Sequence, residues 1–166
     1  MRTQERGLRE FKRYKEVQEI WISQIDGSDP QLLLRSGPCD AISMPGGQTC
    51  CQLVRVSYPQ FTVDGRVILF FASVWATSAG IFSLDLDTLG VRFFTDGNSI
   101  DIIRTGPYFG HFVVSKHRYW QFHTDYDPSD PNAKFGSYDH LWLVSPSGET
   151  IKDLGEDSAL ALKAVS

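Results

Sequence analysis

No stretch of the 166-residue chain approaches the roughly 18 consecutive apolar residues that a membrane-crossing helix needs. No membrane partner is therefore expected. A large excess of one charge is also missing: 16 basic residues face 20 acidic ones, for a net charge of −4. That balance excludes the broad basic footprint of a nucleic-acid binder. The one basic concentration, RGLREFKRYK with its flanks, places six Lys and Arg between Arg2 and Lys15. Glu5, Glu10 and Glu16 dilute it, and it reads as a solvated terminus. No apolar run follows it, so no signal peptide is read in the chain. A periplasmic setting is expected if a signal preceded Met1, and a cytoplasmic one otherwise. Neither Gly-x-Ser-x-Gly nor His-Glu-x-x-His occurs, so no catalytic residue and no cofactor are assigned and the chain is not expected to be an enzyme.

Cysteine is scarce. Cys39, Cys50 and Cys51 all lie in SGPCDAISMPGGQTCCQ, a Gly/Pro-rich segment read as a loop. A Cys39–Cys50 or Cys39–Cys51 disulfide would pin it, with free buried thiols as the alternative. Zinc prefers paired Cys-x-x-Cys or Cys/His sets, which adjacent cysteines do not supply.

What is present is a repeat. IWISQIDGS, IFSLDLDTLG and LWLVSPSGE each alternate and end at a Gly-containing turn, and each is followed by a second short run. Their starts, Ile20, Ile81 and Leu141, are 61 and 60 positions apart. The middle copy is the fullest. YPQFTVDGRVILFFASV reads as strand, tight turn and strand, with Asp64-Gly65 as the turn signal. Val67, Leu69 and Phe71 should face one way and Ile68 and Phe70 the other, as in a strand held between two packed sheets. The expected fold is all-β, a single domain of antiparallel four-stranded meanders. Its blade-like repeats cover about residues 17–52, 53–97 and 98–157, with 158–166 as a closing strand. Segment 9–17 is read as a strand or a short helix.

The middle copy resembles the β-propeller repeat of TolB-like proteins and of prolyl-oligopeptidase relatives. The likeness is carried by Phe61, Asp64, Gly65, Arg66, Ile68, Phe70, Ile81, Leu84, Asp85, Leu86, Asp87, Thr88, Arg92, Thr95 and Gly97. It is good over residues 58–97 and partial over 19–34 and 138–155. It implies a partial propeller of about three blades, although the family repeat is nearer forty residues than sixty and a closed ring takes about four blades or more. An incomplete ring must bury its flanks against something. That favours a non-catalytic protein-binding module, or a homodimer or scaffold that completes the propeller by self-assembly. In size and partial-propeller character the chain is also similar to small immunity proteins of type VI secretion amidases. That likeness implies an immunity-type inhibitor that binds a bacterial secreted effector.

HTDYDPSDPNAKFGSYDH, residues 123–140, is the candidate binding site. It is an enlarged connection rich in acidic and aromatic groups, as surfaces for basic partners tend to be. The candidate partner-binding residues are Asp125, Tyr126, Asp127, Asp130, Phe135 and Tyr138. No metal site is assigned, since the Asp spacing departs from a calcium loop at its Gly and Glu positions. A TolB-like ligand- or Ca²⁺-binding domain is the alternative. His111, His117 and His123 share parity, and a bulge is expected to break that register.

Overall fold

The computed structural model describes residues 17–73, 79–156 and 161, with backbone alone at 39 and 49–51. The expected closing strand and the segment ahead of residue 17 lie outside the described residues, apart from Val17, which is exposed, and the buried Ala161. Cysteine pairing lies outside them too.

Eleven strands follow in order among the described residues: β1 (Glu19–Ile22), β2 (Gln31–Arg35), β3 (Gly37–Ser43), β4 (Thr49–Phe61), β5 (Val67–Ser73), β6 (Ala79–Asp85), β7 (Val91–Asp96), β8 (Ser99–Ile102), β9 (Phe112–Tyr119), β10 (Ser137–Val144) and β11 (Thr150–Gly155). All pair antiparallel with sequence neighbours: β1 with β2, β3 through β7 as one meander, and β8 through β11 as another.

Turn chemistry sets these hairpins. Between β4 and β5, Gly65 takes φ +69, its amide bonds the Thr62 carbonyl at 3.0 Å, and Thr62 Oγ1 donates to Asp64 Oδ1 at 2.6 Å. Between β6 and β7, Asp85 Oδ1 accepts from the Thr88 amide and hydroxyl and from the Asp87 amide, at 2.8–3.1 Å. The Thr88 amide, followed by its hydroxyl, holds the Asp85 carboxyl below its ordinary range. The segment read as a cysteine loop is instead a hairpin of β3 and the first half of β4, joined by a 3₁₀ turn at Pro45–Gly47. Strand β4 shifts register twice, and Arg55 and Tyr58 sit there with positive φ. Bulges of this kind bend a strand, and here they carry the β3 hairpin toward β7.

The core lies in layers. Ile68, Phe70 and Ala72 of β5, with Phe82 and Leu84 of β6, pack against Ile20, Ile42, Met44 and Leu53. From the opposite face, Leu69, Phe71 and Ile81 pack against Ile100, Phe112, Val114 and Val144 of the last sheet. The alternation read from the sequence of β5 is therefore observed. The result is an all-β stack of antiparallel meanders, face to face in chain order, as blades follow one another in a partial propeller. Phe70 and Phe82 are fully buried and stack at 5.8 Å. Each is worth about 1.5–3 kcal/mol of apolar burial.

Two glycines fix how the last sheet sits. A Cβ on Gly97, in the short β7–β8 connection, would lie 2.6 Å from Val114 Cγ1. One on Gly148, in the β10–β11 turn, would lie 2.5 Å from the Phe94 carbonyl oxygen, at φ +91.

Candidate functional site

The inner face of the last sheet is apolar at one end and polar at the other. Along β9 it reads Phe112, Val114, Lys116 and Arg118, and burial falls away over the same run. Lys116 Nζ reaches across to β7, bonding Asp96 Oδ1 at 2.8 Å and the hydroxyl of buried Thr95 at 3.0 Å. On β10, Tyr138, His140 and Trp142 share this face. Buried His140 bonds Asp153 Oδ1 through Nε2 at 2.5 Å, and the Arg118 guanidinium lies 5.3 Å from the centre of the Trp142 ring.

Strand β9 stops at Tyr119 because the chain turns into a single 3₁₀ turn, Trp120–Phe122. The sequence suggested a long strand to His123 broken by a bulge. The break is this turn. It drops Trp120 onto Tyr138 at 4.5 Å and His123 beside Trp120 at 4.9 Å. His123 is oriented at both nitrogens. Its Nδ1 accepts the Asp125 amide at 3.1 Å, so the neutral ring carries its proton on Nε2, which faces Glu156 Oε1 at 3.2 Å. Lys134 Nζ sits 4.3 Å from the centre of the Trp120 ring, within cation–π range.

Beyond this aromatic floor the connection folds on itself. Asp127 Oδ1 accepts the Ser129 hydroxyl and amide at 2.7 and 2.8 Å, and Asp130 Oδ1 accepts the Asn132 amide at 2.8 Å. These Asx turns substitute for secondary structure. The Ser129 hydroxyl, then its amide, lowers the pKa of Asp127, so that carboxylate stays ionised. The loop encloses a cavity of about 460 Å³ lined by Trp120, His123, Asp125, Tyr126, Asp127, Asp130, Lys134 and Glu156, among others. Four carboxylates meet one ammonium there, a field that favours cations. Phe122 and Phe135 stand exposed nearby, at 78% and 77%.

Of the residues singled out from the sequence, Asp125, Tyr126, Asp127 and Asp130 line the cavity. Tyr138 lies beneath it against Trp120. Phe135 stands outside, its ring edge-on to Tyr126 at 6.4 Å. Sequence reasoning missed Trp120, Lys134 and Glu156. Glu156 follows β11 and is brought in only by the β10–β11 hairpin. The histidines do not gather: His117 pairs with Asp139 at 3.6 Å on the other face of the sheet, while His123 and His140 have separate acids. Among the described residues no group of three or more His, Cys, Asp or Glu is placed to hold a metal ion.

No family model and no curated protein matches the chain. Solved structures do resemble it. Acylaminoacyl peptidase of Pyrococcus horikoshii, in an orthorhombic crystal form, is similar at 15% identity and a TM-score of 0.45, over 86% of this chain and 24% of that one. Acylaminoacyl peptidase in complex with Z-Gly-Gly-Phe-chloromethyl ketone is similar at 16% identity and a TM-score of 0.43, over 86% and 23%. The chain thus spans about a quarter of the length of these structures. Likeness at this level carries nothing about activity, and the fold rests on its own sheets.

Proposed function

We propose that the chain is a non-catalytic protein-binding module that takes its partner at the β9–β10 connection. One observation carries this reading: the loop is built around Trp120 and Tyr138 as a net acidic cavity with exposed phenylalanines beside it. A partner presenting a basic side chain, with apolar groups for Phe122 and Phe135, complements it in charge and surface. The most specific form of the proposal is an immunity-type inhibitor of a bacterial secreted effector. It rests on the resemblance to such proteins and to the TolB-like repeat.

The test is affinity capture with the intact chain, followed by mass spectrometry and a titration of the captured protein. Replacing residues 125–134 with a short Gly-Ser linker should abolish that binding while leaving the melting temperature in place. A partner that still binds the linker variant with unchanged affinity would sink the assignment of the loop. Light scattering on the isolated chain separates the rival reading, in which a second copy covers the stack.

A further inference from the structure

A second cavity, of about 530 Å³, opens between the middle and last sheets at the hairpin end, away from the acidic loop. Its apolar lining includes Leu69, Phe94, Phe109 and Phe112, with Phe94 edge-on to Phe112 at 5.2 Å. That size and aromatic character suit a small organic ligand.

Two polar groups converge on the lining. Ser83 of β6 and Arg92 of β7 are direct cross-strand partners, so their side chains leave the sheet on the same face. Ser83 is more than nine-tenths buried, yet its hydroxyl makes no hydrogen bond among the described residues. The Arg92 guanidinium likewise has no hydrogen bond and no ion pair within 4 Å among them. Its acidic neighbour, Asp85, is engaged by Thr88 and the Asp87 amide. Asp64, the one acid on the lining, is turned into its own hairpin toward Thr62 and the Arg66 amide. A hydroxyl and a guanidinium side by side form a donor set that matches a carboxylate.

We propose that this inter-sheet cavity binds small apolar monocarboxylates. The carboxylate lies on Ser83 Oγ and the Arg92 guanidinium, and the hydrocarbon body lies among Leu69, Phe94, Phe109 and Phe112. The site is separate from the acidic loop and does not depend on a protein partner there.

Isothermal titration of the full chain tests this, with 3-phenylpropionate and octanoate as probes, each beside its neutral primary amide. At least one acid should bind saturably, with its amide weaker by about tenfold or more, the scale of a lost charged hydrogen bond. Arg92→Gln should show a similar loss for the acid and none for the amide. Ser83→Ala should show a smaller one. Arg92 is exposed, so the variant's far-UV circular dichroism should superimpose on that of the parent. Amide-proton NMR shifts should fall on Leu69, Phe94, Phe109 and Phe112. The proposal is overturned by no saturation with either acid up to about 10 mM, a concentration that covers even millimolar affinity. Equal binding of acid and amide, unchanged binding by Arg92→Gln, or shifts confined to the β9–β10 loop would each overturn it as well.

Discussion

The middle and last sheets are built from the same meander, yet among the described residues burial runs the length of the central strands in one and stops halfway along them in the other. In the middle sheet, β5 and β6 are each buried over five consecutive residues, because a layer lies on either face. The last sheet starts the same way, with Phe112 through Ser115 buried, and then turns polar from Lys116 onward. One half of β9 and β10 therefore holds the stack together. The other half extends toward solvent and carries Trp120, Tyr138 and the acidic loop. Packing and the proposed recognition surface occupy opposite ends of the same two strands.

Substitutions can break that contrast in order of size. Phe82→Ala in the doubly covered sheet should cost about 3–5 kcal/mol, the range for emptying a buried aromatic site, read from urea unfolding. A similar loss from Tyr138→Ala would erase the distinction between the two ends. Gly148→Ala forces a side chain against the Phe94 carbonyl at a left-handed φ, and should cost about 1–3 kcal/mol. It tests whether the last sheet is seated by that turn.

Asp153 gives the next smaller effect. Burial opposes its charge, but the Gly155 amide, the bond from His140, and the charges of His140 and Arg118 together hold its carboxyl below the ordinary range. A depressed folded pKa stabilises above the unfolded value, near 3.9, and that contribution is lost as pH falls through the folded value. Asp153→Asn should therefore flatten the acid limb of the stability curve. At half exposure it should remove less than about 1 kcal/mol at neutral pH. A pH series of thermal melts reads both. Smallest of all, Phe135→Ser should stay within about 0.5 kcal/mol, because the ring is exposed. Its effect should show only in partner titrations.

Much of the fold was legible in the residues. The alternation from Val67 to Phe71 gave both faces of β5, Asp64-Gly65 marked one turn, and the Gly-containing end of IFSLDLDTLG marked another, where Asp85 bonds the backbone of Asp87 and Thr88. The cysteine hairpin was not legible, since Gly37, Pro38, Pro45, Gly46 and Gly47 read as breakers while the bulges that fold β4 over the sheet leave no local signature. At the site, Asp125, Asp127 and Asp130 were visible because they lie within six residues of one another in the chain. Trp120 was hidden inside an apparent strand, and Glu156 arrives through tertiary pairing that no local pattern reports. The Ser83 and Arg92 pairing was hidden for the same reason, since it needs the β6–β7 register.

The short β7–β8 connection, sealed by Gly97 against Val114 and by the Asn98 amide on the Ser115 carbonyl at 2.8 Å, seats the last sheet on the one before it, and among the described residues the buried clusters join each sheet to those next to it in the chain. The stability of such an array is a sum of unit terms and nearest-neighbour interface terms, as in repeat proteins. Unfolding is then free to start at an outer layer and travel inward. Native-state hydrogen exchange should accordingly find its slowest amides in β5 and β6, with protection stepping down on either side.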